Sequence, residues 1–284
     1  MTEYSFSRFA YLDTNIVSCF SKDKSLWPKL RDFLRDSNLT VAIGPGQVAE
    51  LSDARRLHTN LACFLVSIPT GIIKNPDKIL AEEVQAHPKR RTESLLMYPL
   101  NRILLEENGL EKLVQFLSSR SLAAARDDQL CHARQMARRH SKLKNNFPPK
   151  PSGTYTRGQA DEFSEAQVLQ WLAQTHRRFL EQFQGNIEGF NPDAFLSIRL
   201  FGYVIFYKYY LGRREPNKLS DFGDLFHLFA IPYCELVVME RDLCNTLNQI
   251  KRNHAILKST DIQNIDFLQR FSPITDEGND VTTA

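Results

Sequence analysis

Six carboxylates of this chain stand where a fold could bring them together: Asp13, Glu50, Asp221, Asp224, Glu240 and Asp242. Clustered acids repel one another unless a divalent cation neutralises them, and oxygen-only ligands suit Mg²⁺ or Mn²⁺ better than zinc. An ion held in this way activates water and stabilises the leaving oxygen when a phosphodiester is hydrolysed. The chemistry to expect is therefore metal-assisted hydrolysis, on condition that the acids meet.

The first two acids follow predicted strands. The apolar run at 9–12 ends in Asp13, and a helical pattern begins directly after it. A second strand, predicted at 39–43, is closed by a Gly-Pro-Gly turn, and Glu50 lies one turn into the helix that follows. Taken singly, Asp13 is equally explained as a helix cap, and Glu50 as a solvated helix residue.

The other four acids lie near the end of the chain. Asp221 and Asp224 open a predicted helix with the spacing i, i+3, which puts both on one face. Glu240 and Asp242 directly follow an apolar strand predicted at 236–239. Each pair is also explained as ordinary first-turn acids, which interact favourably with the positive end of a helix dipole.

The order of the predicted elements provides a place where the acids can meet. Strands and helices alternate in the first and last parts of the chain, which predicts an α/β fold with a parallel sheet between two helical layers. The carboxyl ends of parallel strands, and the helix N-termini that follow them, lie at the same edge of such a sheet. We therefore expect the acids in one patch at that edge.

The middle of the chain has a different pattern, because strand signals stop near residue 92 and resume near residue 212. We predict a core formed by residues 1–91 and 212–271, a mostly helical insertion at 92–211, and a disordered tail at 272–284. Predicted helices of the insertion span 94–106, 110–119, 122–140, 163–183 and 192–210. Other predictions are a turn at 69–71, a loop at 147–153, a strand at 255–257, and helices at 221–231 and 261–271.

Composition limits the class of protein. The chain has 284 residues, of which 42% are hydrophobic and 24% charged, as is typical of a soluble globular protein. Its most apolar stretch, 195–210, is interrupted by Arg199 and Lys208, and no apolar run follows a basic start, so we expect neither a membrane span nor a signal peptide. The number of cysteines, five, is odd, and they contain no CxxC pair, so neither a disulfide framework nor a zinc site is expected. This pattern favours the reducing environment of the cytoplasm.

Four blocks of the sequence, in order, resemble the PIN domain family of metal-dependent nucleases. Leu12-Asp13-Thr14-Asn15 matches the LDTN-type motif with which family members open, and residues 44–51 resemble the second block, a turn and then a helix bearing an acid. Residues 221–227 resemble the third block and residues 231–242 the last, which contains a Pro-Tyr pair, an apolar strand and then an acid. The resemblance covers about residues 8–90 and 215–265 and implies a PIN-like core.

The last block departs from the family pattern. Family members usually have Thr-x-Asp after the last strand, whereas this chain has Met239-Glu240-Arg241-Asp242. The spacing from Asp224 favours Asp242 as the fourth acid, and adjacency to the strand favours Glu240. Both assignments stay open at this point.

The resemblance implies an endonuclease that cleaves single-stranded or structured RNA, and more rarely DNA, with Mg²⁺ or Mn²⁺ as cofactor. The metal ligands that it implies are Asp13, Glu50, Asp224 and either Asp242 or Glu240, with Asp221 completing the site. Thr14 and Asn15 would orient Asp13 or a metal-bound water. His227 follows Asp224 by one turn, but on this apolar helix we expect it to pack in the core rather than to contact the leaving group.

The insertion carries a local surplus of positive charge, although the formal net charge of the chain is only +3. Nine Lys or Arg residues and two acids lie between Arg120 and Arg157. The residues that we expect to bind nucleic acid are Arg134, Arg138, Arg139, Lys142 and Lys144. Phe147 and Tyr155 are candidates for stacking on bases. The alternative is a solvated helix face beside a loop.

Three functions are compatible with these features. The first is an endoribonuclease, and the second is a DNA nuclease with the same site. The third is a PIN-like module that binds RNA or protein without cutting, although such a module has no need of mutually repelling acids. The sequence leaves open whether an inhibitory protein binds the chain, whether it forms a homodimer, and whether one or two metal ions act.

Reversing the charges of Arg138 and Arg139 to Glu is predicted to weaken RNA binding and to leave metal binding intact. If both side chains contact phosphates, the slope of log K against log salt should fall by about 1 to 1.5, since each single-strand contact contributes roughly 0.7. Salt-dependent binding measurements test this, and an unchanged affinity would exclude these arginines from substrate binding.

Overall fold

A computed structural model describes residues 8–53, 55–146, 148, 150, 154–183, 187–212 and 220–271. Within these ranges, the side chains of residues 125, 129, 132, 142–144, 146, 187, 220, 221 and 224 are not described. The predicted tail at 272–284 and most of the predicted loop at 147–153 lie outside the described residues.

The centre of the structure is a six-stranded sheet with the strand order β4-β3-β2-β1-β5-β6. The strands are β1 (Phe9–Leu12), β2 (Thr40–Ile43), β3 (Thr70–Ile73), β4 (Leu96–Pro99), β5 (Leu236–Val238) and β6 (Asp261–Gln263). Only β4 runs antiparallel to its neighbour. In the centre, Tyr11 pairs with Ala42 on one side and with Val237 on the other, so β1 joins the first and last parts of the chain.

Helices cover both faces of the sheet, and none of those in the described ranges is long and apolar enough to cross a membrane. The first six are α1 (Thr14–Lys22), α2 (Trp27–Asp36), α3 (Pro45–Leu51), α4 (His58–Ser67), α5 (Pro76–Ala86) and α6 (Gly109–Leu117). The others are α7 (Arg120–Asn146), α8 (Arg157–Thr175), α9 (Arg177–Glu181), α10 (Leu196–Ile205), α11 (Ser220–Gly223) and α12 (Arg241–Asn253). A π-helical turn, Phe206–Leu211, continues α10.

Successive side chains of β1 point to opposite faces of the sheet, and a hydrophobic core lies on each face. Ala10 and Leu12 pack with the apolar faces of α1, α2, α4 and α6. Phe9 and Tyr11 point the other way, towards α5, α8, α10 and α12. Because both faces are covered, every residue of β1 is buried, which explains why the strand reads as a continuous apolar run. This arrangement confirms the predicted α/β class.

The edge strands differ from the prediction. Leu96–Pro99 forms β4 where a helix was predicted over 94–106, and Thr70–Ile73 forms β3 where a turn was predicted. The two strands lie so close together at Gly71 that a Cβ atom at this position would be 1.9 Å from Leu96 Cδ1. Cross-strand packing of this kind overrides the local propensity of short segments. The sheet therefore extends past residue 92, where the insertion was predicted to begin.

The C-terminal elements also differ from the prediction. The predicted strand at 255–257 is wrong, and the strand lies instead at β6, within the segment that was predicted to be helical. The predicted helix over 221–231 is shorter, since α11 ends at Gly223 and 3₁₀ turns follow at Asp224–Phe229 and Ile231–Tyr233. Short elements of this kind are decided by their tertiary contacts more than by hydrophobic periodicity.

Glu83 connects the core to the predicted insertion. This carboxyl group on α5 is fully buried and accepts hydrogen bonds from the Ser197 backbone N–H, over 2.9 Å, and from the Tyr233 hydroxyl, over 2.5 Å. Its second oxygen has no hydrogen-bond partner among the described residues. Burial raises the pKa of Glu83 to about 7 despite these hydrogen bonds and the nearby Arg91.

The raised pKa of Glu83 predicts a pH-dependent stability. The unfolded carboxyl loses its proton near pH 4.5, whereas the folded one keeps it to about pH 7, so the free energy of unfolding should fall as pH rises between these values. Glu83→Gln keeps an oxygen acceptor and removes the titration. We expect this variant to be more stable than wild type above about pH 7 and to lack this part of the pH dependence, as measured by urea unfolding. If the free energy of unfolding depended on pH in the same way in wild type and variant, the raised pKa of Glu83 would be contradicted.

Candidate functional site

Asp13 directly follows β1, at the edge of the sheet where the parallel strands end. Its backbone N–H donates to Val238 O over 2.9 Å, which places it against the end of β5. Burial raises the pKa of the Asp13 carboxyl. The neighbouring carboxylates of Glu240 and Glu50 raise it further, while the Thr14 backbone N–H and His227 oppose the shift. Three acids from separate parts of the chain therefore interact at this position.

Glu50 is held beside Asp13 by two other side chains. The Thr14 hydroxyl, at the start of α1, donates to Glu50 Oε2 over 2.6 Å. His227 Nε2 lies 3.1 Å from the other oxygen, Oε1. The described hydrogen bond of the Thr14 side chain thus orients Glu50, whereas the family resemblance implied a role beside Asp13.

Glu240 and Asp242 occupy different surroundings, although they are two residues apart. Glu240 is the N-cap of α12, and its Oε1 accepts a short hydrogen bond from Asn15 Nδ2. Asp242 lies in the first turn of the same helix, 3.7 Å from Lys208 Nζ of the π-helical turn. Glu240 interacts electrostatically with Asp13. Of the two candidates for the fourth acid, Glu240 therefore acts on the group around Asp13.

Asp221 and Asp224 belong to α11 and to the 3₁₀ turn that follows it, and their side chains lie outside the described part of the structure. That turn packs against α3, the helix that carries Glu50. Among the side chains that are described, no group of three or more His, Cys, Asp or Glu is arranged to hold a metal ion. Asp13, Glu50 and Glu240 nevertheless lie near one another at the predicted edge of the sheet.

Gln47 is a positioning residue that the sequence interpretation missed. Its amide is fully buried; Nε2 donates to Leu12 O over 2.8 Å, and Oε1 accepts from the Gly44 N–H over 3.0 Å. These bonds fasten the first turn of α3 to the end of β1, so that Glu50, one turn later, faces Asp13. A glutamine three residues after a helix N-cap is a recognisable capping signal, and it could have been found from the sequence.

His227 was expected to pack in the core, and its side chain is largely buried, with 10% exposed. Its Nε2 also contacts Glu50, and the imidazole acts electrostatically on Asp13, which the expectation did not include. The 3₁₀ turn differs from the predicted α-helix in the direction that it gives each side chain. Helical periodicity therefore could not show that His227 reaches the acids.

A cavity of about 550 Å³ lies beside the acids, on the side of the insertion. It extends from Gly44 and His227 to Arg139 of α7 and Trp171 of α8. Of the five basic residues predicted to bind nucleic acid, Arg139 lines this cavity, and Arg134 and Arg138 are exposed elsewhere on α7. The side chains of Lys142 and Lys144 lie outside the described set.

Tyr155 and Phe147 were predicted to stack on bases, and the structure describes the first of them. The ring of Tyr155 packs edge-to-face on Phe206, with 5.1 Å between the ring centroids, and its hydroxyl accepts from the Lys150 N–H over 2.7 Å. It is therefore part of the packing of the insertion rather than an open platform for a base. Phe147 lies outside the described residues.

The group formed by Asp13, Glu50 and Glu240 presents carboxylate oxygens to one place. The Thr14 hydroxyl and the His227 imidazole contact Glu50, and the Asn15 amide contacts Glu240. Oxygen atoms are the ligand type that a hard divalent cation prefers, although these side chains as they stand are not arranged to hold one. Comparison of the chain with protein-family models, with curated proteins and with solved structures finds no match.

Asp13→Asn is predicted to stabilise the folded protein at neutral pH in the absence of divalent metal. The substitution removes a desolvated charge that faces Glu50 and Glu240 and keeps the shape of the side chain. A gain of about 1 kcal/mol would raise the melting temperature by roughly 2–4 °C for a chain of this size. The matched control is Asp36→Asn on exposed α2, which should leave the melting temperature unchanged. A lower melting temperature for Asp13→Asn would show that the charge is stabilising.

Proposed function

We propose that this protein is a metal-dependent endonuclease with a PIN-like core, and that it hydrolyses phosphodiester bonds of RNA at a Mg²⁺ or Mn²⁺ ion. The observation that carries the proposal is the convergence of Asp13, Glu50 and Glu240 at the carboxyl edge of the sheet. Repelling carboxylates in a half-buried site reduce stability, so their convergence favours a function that needs a cation.

The residues that would hold the ion are Asp13 and Glu50, together with Asp224, the third acid implied by the family resemblance. Glu240 is the better candidate for the fourth ligand, because it lies within the electrostatic reach of Asp13. When bound, the ion would supply an activated water and neutralise charge on the phosphate. The roles of the surrounding groups follow from their hydrogen bonds: Thr14 orients Glu50, and Asn15 orients Glu240.

Three further points belong to the proposal. The parallel α/β sheet, with β1 between β2 and β5, is compatible with the four blocks that resemble the PIN family. The absence of a CxxC pair from the sequence favours a cytoplasmic location. The preference for RNA over DNA follows from the family resemblance, and the cleavage assay below includes both.

The test is a cleavage assay on single-stranded and structured RNA, with matched DNA strands, in Mg²⁺, Mn²⁺ or EDTA. We expect cleavage of RNA that needs metal and falls by more than about 100-fold in Asp13→Asn and in Asp224→Asn, since loss of an outer-shell partner alone costs about 10–100-fold. Asp36→Asn again serves as the control.

Two outcomes would contradict the proposal in different ways. Preferential cleavage of the DNA strand would identify a DNA nuclease with the same site. Binding of RNA without cleavage in either metal would identify a silent module, and in that case Mg²⁺ should also fail to raise the melting temperature.

Glu240→Gln and Asp242→Asn form a matched pair that decides the fourth acid. Because Glu240 interacts with Asp13, we expect Glu240→Gln to lower metal affinity and cleavage by about 10–100-fold. Asp242→Asn removes an ion pair with Lys208 and should change cleavage by much less. Titration of Mg²⁺ against the initial cleavage rate measures both effects, and the reverse order would assign the role to Asp242.

A further inference from the structure

The cavity beside the acids has the size of a small-molecule site. Its volume, about 550 Å³, lies within the range of roughly 300–1,000 Å³ that is usual for pockets that bury a ligand. One wall is the carboxyl edge of the sheet, at Gly44 and Lys74, and the opposite wall is formed by α7 and α8. The cavity therefore lies between the core and the predicted insertion.

Part of the lining is aromatic and held in place. Trp171 packs against Phe201 and Phe229, with ring centroids 5.1 and 5.3 Å apart. Trp171, Phe229 and Phe226 all line the cavity. An aromatic surface whose orientation is fixed in advance is suited to stacking on a planar ligand such as a nucleobase.

The polar part of the lining is balanced in charge. Apart from the imidazole of His227, two cations, Lys74 and Arg139, are matched by two acids, Asp77 and Asp128, and Lys74 is already paired with Glu82 over 2.6 Å. A site for a polyphosphate or another strongly charged ligand would have an excess of one sign. This balance indicates a ligand whose body is neutral.

Neutral donors and acceptors are provided by side-chain amides. Gln135 of α7 and Gln174 of α8 are exposed residues that line the cavity from its helical side. A glutamine amide offers both a donor and an acceptor, which is the pattern needed to recognise the polar edge of a base. Aromatic rings together with amides and balanced charge are thus typical of a nucleobase site.

The cavity and the acids share a boundary. His227 lines the cavity and also lies 3.1 Å from Glu50 Oε1. Ala49, the neighbour of Glu50 on α3, lines it as well. A nucleotide whose base occupied the cavity would therefore have its phosphate near the carboxylates.

We propose that this cavity binds one unpaired nucleobase of an RNA strand, next to the phosphate that is cleaved. The inference rests on the proposed nuclease function for the identity of the ligand, and it adds a requirement for an unpaired base. A base within a duplex is stacked and paired, so it could enter only after leaving the helix, which costs free energy.

Binding can be measured without cleavage through the fluorescence of Trp171. The chain has two tryptophans, and the other, Trp27, packs on the opposite side of the sheet. In a Trp27→Phe/Asp13→Asn background without divalent metal, we expect a short unstructured RNA to quench Trp171. The same RNA annealed to its complement should bind at least about tenfold more weakly, because the base must first be unstacked.

Two variants in that background test the position of the ligand. Arg139→Gln should raise the dissociation constant about tenfold, as expected for the loss of one charge-assisted hydrogen bond. The matched control, Arg35→Gln, changes an exposed arginine on α2 and should have no effect. Gln135→Phe, at an exposed position of the lining, should reduce binding by filling the cavity.

Several results would overturn the proposal. These are equal quenching by single strand and duplex, equal losses in Arg139→Gln and Arg35→Gln, or normal binding by Gln135→Phe. Binding of a free nucleoside monophosphate as tightly as the strand would make the cavity a metabolite site. The two proposals fail separately, because quenching without cleavage contradicts the nuclease alone, whereas cleavage without quenching contradicts the base-binding cavity alone.

Discussion

The constraint on which the site depends is the desolvated carboxyl group of Asp13. Burial raises its pKa, and the carboxylates of Glu50 and Glu240 raise it further. The fold compensates only in part, through the Thr14 backbone N–H and His227. The surrounding hydrogen bonds therefore serve to hold acids that would otherwise move apart. The proposed cation-dependent function would give a reason for such a cluster to persist, since a protein under selection for stability alone would lose it.

The helical middle of the chain is part of the same structural unit as the sheet. Glu83 on α5 accepts a hydrogen bond from Ser197 of α10, and Phe9 and Tyr11 of β1 share a hydrophobic core with that helix. In addition, α8 packs against α10, and α7 packs against α3, the helix that carries Glu50. The proposed base-binding cavity and the proposed cleavage site then lie side by side, with His227 at their boundary.

Much of the candidate site could be predicted from the sequence, because Asp13 and Glu50 follow clear strand and turn signals. Sequence spacing left Glu240 and Asp242 equivalent, and the structure separates them through their different neighbours, Asn15 and Lys208. The sequence also could not show which arginine of α7 lines the cavity. Successive residues of a helix point about 100° apart, so Arg138 and Arg139 differ in what they face although they are adjacent.

The sequence by itself determined the α/β class, the buried strands β1, β2 and β5, and the longer helices, because continuous apolar runs and helical periodicity are local signals. Only the tertiary structure decided that β3, β4 and β6 are strands, and that His227 reaches Glu50. These features depend on contacts between residues far apart in the chain, such as Gly71 with Leu96, and a short segment takes its conformation from such partners. Local pattern therefore located the acids along the chain, and packing determined which of them meet.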